Sequence, residues 1–195
     1  LNTFFTIKDT EKRWTNLLEG HELYCSGHLI EAACTYYEAT GKRKLLDIAV
    51  KNAECIYDRF VMQNTEGIPG HPEIELALLR LYRLTENKHF LELAKKFIDE
   101  RGKAPDFWAR EAKKRSWSVW NSDPWDNDYR QSAKPVREQT EAVGHAVRAV
   151  YLYTGMADLA AETEDKELFA ACRRLWENIV HRKMYITGGI GSTVQ

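Results

Sequence analysis

Alternation of apolar and polar residues, the mark of a half-buried strand, is almost missing from this 195-residue sequence, and a sheet-based fold is excluded at the outset. No run of about 18 apolar residues occurs, so nothing is suited to span a membrane as a helix. Residues 1–20 lack the charged-then-apolar profile of a secretory leader. The chain opens on Leu1 rather than Met, and the compartment is left open. Excess charge of one sign is absent too: 28 Lys and Arg stand against 29 Asp and Glu, a net charge of −1. So balanced a chain carries no broad electrostatic footprint for nucleic acid or an anionic lipid surface. Cysteine is scarce. The four present, Cys25, Cys34, Cys55 and Cys172, show neither C-x-x-C nor zinc-finger spacing, so a disulfide framework is not expected. All four fall within helical patterns and read as buried, reduced, apolar-type residues.

What the chain has is apolar residues recurring at spacings of three and four almost from end to end, the period of amphipathic helices. Leu46, Ala49, Ala53, Ile56 and Phe60 form one stripe, and Ile74, Ala77, Leu78, Leu81 and Tyr82 a second. Phe90, Leu91, Ala94, Phe97 and Ile98 form a third. Two more run through Val143, Ala146, Val147 and Val150, and through Leu168, Phe169, Cys172, Leu175, Trp176 and Ile179. Three segments share one opening: TGKRKLLDIA from Thr40, TENKHFLELA from Thr85 and TEDKELFAAC from Thr163. In each, Thr caps or turns, a basic residue stays in solvent, and a pair of large apolar residues enters the core.

Each copy follows a helix that opens on Gly-His. Four of the six histidines directly follow a glycine, although glycine numbers only eleven. The repeating unit is therefore a Gly-His helix, a short turn and a second helix, and hairpins repeating at about 40 residues predict a solenoid or a closed α/α toroid. The expected fold class is all-α, with the hairpins forming part of an (α/α)6 toroid. There, equivalent ends of the inner helices converge, bringing His21 (or His28), His71 and His145 together at one rim; the alternative is that each histidine caps its own helix or sits in the core. Pro72 suits a first helical position and places His71 at or beside the cap.

Residues 101–138 break the repeat and hold Trp108, Trp117, Trp120 and Trp125, four of the six tryptophans. NSDPWDND within this insertion sets an aromatic among carboxylates and amides, as carbohydrate sites do. Trp125 is the candidate platform; the other three suit packing of the insertion onto the barrel rim. The final YITGGIGSTVQ reads as a tight irregular connection rather than a phosphate loop. Fewer helices are present than six hairpins require, so residues 1–195 are expected to be an incomplete barrel.

HELYCSGHLIEAA, GHPEIELAL, KPVREQTEAVGHAVRAVYLYTGMADLA and YITGGIGS, in that order from His21 to Ser192, resemble glycoside hydrolase family 127, typified by β-L-arabinofuranosidases. The resemblance implies an (α/α)6 catalytic barrel and retaining hydrolysis of a terminal L-arabinofuranosyl or related sugar. It further implies a zinc-bound cysteine thiolate as nucleophile and a glutamate as acid/base, a coherent pairing because zinc keeps a thiolate deprotonated. Both belong to positions beyond this sequence, which is thus expected to hold no catalytic residue and no zinc ligand. His21, His71 and His145 match the histidines that contact the sugar, and His28 reads as structural. The implied partner is a carbohydrate, with nucleic acid and membrane excluded. A non-catalytic solenoid with a protein-binding groove, and an α/α-barrel sugar epimerase or lyase, remain as other readings of the hairpins, since fold alone does not set function.

Overall fold

A computed structural model describes residues 3–191; Ser192, the last residue of the family-like strings, lies outside them. Every regular element among the described residues is helical. The α-helices are α1 (Thr3–Lys8), α2 (Glu22–Thr40), α3 (Lys44–Tyr57), α4 (Ile74–Thr85), α5 (Lys88–Glu100), α6 (Phe107–Lys114), α7 (Ala146–Thr163) and α8 (Lys166–Asn178). Single wide turns, Asp58–Met62 and Ile179–Lys183, extend α3 and α8.

Three antiparallel hairpins, α2–α3, α4–α5 and α7–α8, stand side by side. Helices α2, α4 and α7 touch in that order and form an inner layer, backed by α3, α5 and α8. This is part of an α/α toroid. The stripes of α3, α4 and α5 face inward as their periodicity predicts: Leu46, Ala49, Ala53, Ile56, Ile74, Ala77, Leu78, Leu81, Phe90, Ala94, Phe97 and Ile98 are all fully buried.

The repeated threonine does the same thing three times, but at the end of the first helix rather than at the start of the second. Thr40, Thr85 and Thr163 close α2, α4 and α7, each donating its hydroxyl to the carbonyl four residues back, on Tyr36, Leu81 and Leu159. The next residue, Gly41, Glu86 or Glu164, takes a left-handed conformation and donates its N–H back to the last turn. Asn87 and Asp165 then cap α5 and α8 with their side chains.

The third hairpin departs from its predicted stripes. On α7 the buried face is Ala149, Leu152, Tyr153, Met156, Leu159 and Ala160, whereas Val147 and Val150 are about half exposed. On α8, Leu168, Ala171 and Leu175 are buried while Phe169 and Trp176 stand 61% and 67% exposed. The reason is positional: α7 and α8 flank the array, and no described element covers their outer side. Periodicity finds apolar faces but not whether a neighbour is present to cover them. The cysteines are free, as expected, but only Cys34 is fully buried and Cys25 and Cys55 are exposed.

Insertion 101–138 is more structured than a loop. It begins with Arg101, wholly buried, whose guanidinium donates to the carbonyls of Arg130 (3.0 Å) and Pro69 (2.6 Å) and pairs with buried Glu75 (3.4 Å). Trp108 on α6 is buried and donates Nε1–H to Ser132. Glu111 accepts the N–H groups of Leu17 and Leu18, fastening α6 to the segment that leads into α2.

Close contact between inner helices depends on two glycines. A Cβ at Gly27 on α2 would lie 1.5 Å from Glu73 Oε2 and 2.8 Å from Ile74 Cα, and one at Gly155 on α7 would lie 3.1 Å from Glu75 Cβ. Gly27→Ala is therefore expected to destabilise the fold by about 2–3 kcal/mol, because the obstacle includes backbone that has nowhere to move. Gly189→Ala, at a site with no near neighbour, is expected to change stability by less than about 0.5 kcal/mol. Urea unfolding of the two variants checks the contrast.

Candidate functional site

Three of the four Gly-His histidines, His21, His71 and His145, meet at the N-terminal pole of the inner layer. His21 and His71 have ring centroids 5.7 Å apart, and His71 and His145 are 5.9 Å apart. Each reaches that point differently. His21 is the residue before α2 and has a left-handed backbone, φ 53°, a conformation uncommon outside glycine and often found at functional sites. Its Nδ1 lies 2.7 Å from the Glu19 carbonyl. His145 caps α7, its Nδ1 accepting the Arg148 N–H at 3.4 Å. His71 is not at the cap of its helix: α4 begins at Ile74 with Glu73 as its cap residue, so Pro72 does not take the first helical position. His71 sits in the approach to α4, its Nδ1 2.7 Å from the Pro72 carbonyl.

Aromatic rings fill the spaces between the imidazoles. Tyr24 lies 4.4 Å from both His71 and His28, Tyr151 6.0 Å from His71, Tyr129 5.4 Å from His145, and Trp120 5.1 Å from His21. His28 thereby joins the cluster at one remove, through Tyr24 and Tyr151. Within the insertion, Trp120 is the indole that touches the histidine wall. Trp125 is 65% exposed and ends an Asx turn begun by Asp123, to whose carboxylate it donates its N–H. A groove of about 530 Å³, lined by Phe4, Arg13, Trp14, Cys25 and Val119 among others, opens onto His21.

The residues behind the wall have unusual electrostatics. Burial pushes the His71 imidazole down to about 4, helped by the Arg148 guanidinium and the neighbouring His21 and His145 against the Pro72 hydrogen bond. Burial and then Arg148 lower His145 in the same way. Both rings are thus held neutral at pH 7. Glu73, 1% exposed, is raised to about 9 by burial and by the nearby Glu75 and Glu31, so it is a neutral acid at pH 7; its Oε1 lies 3.5 Å from His28 Nδ1. Arg148 stacks on Tyr129 at 4.5 Å, and its Nε and Nη1 have no hydrogen-bond partner among the described residues.

Tyr24, Tyr151, Glu73, Trp120, Tyr129 and Arg148 were not among the expected site residues. One signal was available for Tyr24: His21, Tyr24 and His28 are spaced three and four apart, which sets them on one side of a helix. Nothing comparable marks Glu73 or Trp120, which arrive from other segments. No three His, Cys, Asp or Glu side chains among the described residues converge as a metal site. The thiols are no better suited to zinc or to nucleophilic attack, since burial raises Cys34 and Cys172 to about 11 and Cys25 also upward.

Paired helices in two layers, with imidazoles, phenols and an indole collected at one pole of the inner layer, define this as part of an α/α toroid. The family model described as "Beta-L-arabinofuranosidase, GH127 catalytic domain" matches residues 1–195. The chain belongs to that family. A non-reducing end β-L-arabinofuranosidase from Bifidobacterium longum subsp. longum is 42% identical over 206 residues, which cover 99% of this chain and 30% of that protein. Among solved structures, a GH127 β-L-arabinofuranosidase from Geobacillus stearothermophilus T6 superposes with a TM-score of 0.91 at 50% identity, over 99% of this chain and 31% of that one. A second GH127 β-arabinofuranosidase gives 0.77 at 45% identity, over 92% and 26%. The chain thus spans about a third of the length of the relatives it matches.

The insertion is tied to the wall by Glu19. This buried carboxylate accepts the N–H groups of Val119 and Ser122, both at 2.7 Å, and the hydroxyl of Ser118 and the amide of Asn16. Burial works to raise its pKa, yet these hydrogen bonds overcome it and bring the group from 4.5 to about 2. A carboxyl lowered on folding contributes stability that is fully present above about pH 4.5 and is lost as the pH falls toward 2. Glu19→Gln is expected to lose roughly 3 kcal/mol at pH 7, and urea unfolding curves of variant and parent should draw together between pH 4.5 and 2. A constant difference across that range would refute the assignment.

Proposed function

We propose that this chain supplies the N-terminal part of the (α/α)6 barrel of a retaining glycoside hydrolase that removes terminal β-L-arabinofuranosyl or closely related residues. In this reading, residues 1–195 are one section of the barrel, and 101–138 is an insertion across its rim. The observation that carries the proposal is the meeting of His21, His71 and His145, one from the start of each inner helix, in a chain with a GH127 β-L-arabinofuranosidase superposing on it at a TM-score of 0.91.

The chemistry available here is binding and orientation. The two nitrogens of an imidazole can donate and accept hydrogen bonds, so three such rings gathered at one pole suit the hydroxyls of a sugar. Trp120 adds an apolar face beside His21, and Trp125, exposed on the same loop, is proposed as an outer platform for the sugar. Holding a glycoside against the wall fixes the anomeric carbon relative to groups supplied by the rest of the barrel, and correct placement alone is worth several powers of ten in rate. The resemblance implies that a zinc thiolate and a glutamate perform the bond cleavage. No described residues are arranged to hold that zinc.

Histidine 71 is the central ring of the three, so its loss affects both neighbours. In a protein of the relatives' full length, His71→Ala is expected to lower kcat/KM on an aryl β-L-arabinofuranoside by about 100-fold, as removing a contact made to the reacting sugar does. The unfolding midpoint is expected to change little, since the ring is only partly buried. Absence of L-arabinose release by the parent protein would overturn the assigned sugar, and an unimpaired variant would remove His71 from the site.

A further inference from the structure

Three arginines lie buried together where α4 and α7 meet the base of the insertion. Arg101, Arg130 and Arg148 are 0%, 3% and 7% exposed. Arg101 donates to the Arg130 carbonyl at 3.0 Å, and the guanidinium carbons of Arg130 and Arg148 lie 5.5 and 4.5 Å from the centre of one ring, Tyr129. Burial pushes Arg101 and Arg130 below the ordinary arginine range, and the Arg148 charge adds to the shift of each. Arginine keeps its proton inside proteins. The group therefore has no escape into a neutral form of the kind that the Glu73 carboxyl takes.

Negative charge in the same place falls short. Glu75 is fully buried and pairs with Arg101 at 3.4 Å, its other oxygen accepting the Glu73 N–H. Asp126, half-buried at the edge of the group, attracts Arg130 and Arg148. Its Oδ1 is taken by the Tyr129 N–H, and only its carbonyl meets Arg130 Nη1. Exposed Asp123 adds a smaller pull on Arg130. With Glu75 and Asp126 set against three guanidinium groups, one positive charge is left over. The donors are left over as well: Arg130 Nε, and both Nε and Nη1 of Arg148, are buried with no partner among the described residues. Arg148 also stands in the first turn of α7, where the partial positive charge of a helix N-terminus adds to its own.

We propose that this group binds a small monovalent anion of the chloride type, held by Arg148 and Arg130 between the first turn of α7 and the base of the insertion. A neutral ligand satisfies the donors but leaves the repulsion between buried cations in place, so charge is what the site selects. Depth sets the size, since side chains this buried admit a halide and exclude a bulky or polymeric ligand. The guanidinium is itself weakly hydrated, which suits a halide better than a strongly hydrated divalent oxyanion. The site touches no sugar, yet it bears on the histidine wall. Arg148 is one of the groups that lower His71 and His145, and an anion against it offsets part of that field.

Two measurements on protein of the relatives' full length test the site. Crystals grown with bromide as the only halide are expected to show an anomalous bromine peak in hydrogen-bonding reach of the Arg148 guanidinium. A water without anomalous signal there, or a carboxylate from outside residues 1–195 lying against Arg148, overturns the proposal. In solution, with gluconate as the balancing anion, chlorine NMR lines are expected to broaden saturably with the parent protein. Arg148→Met is expected to abolish the saturable part, and Arg173→Gln, exposed on α8, to leave it unchanged. Arg130→Lys keeps the charge and guards against a misfolded Met variant; it is expected to weaken chloride about tenfold, the loss of one charge-assisted hydrogen bond. Equal saturable broadening by the parent and by the Arg148 and Arg130 variants, or none by the parent, overturns the proposal.

Discussion

The close approach of the three inner helices is the constraint from which the rest follows. Helices approach this closely only where a side chain is missing, and here Gly27 sets α2 against the start of α4 while Gly155 sets α7 against the same helix. With the helices so near, the segments that enter them are forced together at one pole. His21 and His145 then each lie within about 6 Å of His71 by ring centroid. Wider spacing would separate the imidazoles into three independent helix ends, each satisfied locally.

Burying polar groups at this pole requires compensation, and the molecule supplies it in three forms. Glu19 stays ionised because donors from the insertion surround it. Arg101 and Glu75, both fully buried, share one interaction while the guanidinium also ties Pro69 to Arg130; such a pair contributes specificity of arrangement more than net stability. Glu73 has too few donors and is held neutral. Each solution links the insertion or the approach loops to the inner helices. The wall is therefore carried by elements distant in sequence, although its histidines lie at matching points of a repeat.

Much of the hairpin architecture was legible. The apolar stripes of α3, α4 and α5 turned inward, with only Tyr82 and Leu91 partly buried, because outer helices and neighbouring hairpins surround them. Those of α7 and α8 were only half right, since Phe169 and Trp176 satisfy the same periodicity as buried residues but face no described partner. The convergence of the histidines was expected from their equivalent positions. Their company was not: Trp120 reaches His21 because Glu19 gathers the loop 118–122, and no local pattern encodes that capture. Trp125, singled out by its NSDPWDND setting, is 65% exposed.

The sequence by itself determined the helical class, the repeating hairpin, the recurrence of Gly-His at inner-helix starts and the family. These are properties of spacing and residue type, which survive without knowledge of what lies across the interface. Tertiary structure decided which stripes are covered and which tryptophan stands beside the histidines. Those depend on contacts between segments up to about 100 residues apart, as between Glu19 and Val119. Hydrogen bonding is directional and short-ranged, so only the folded chain could place its donors and acceptors.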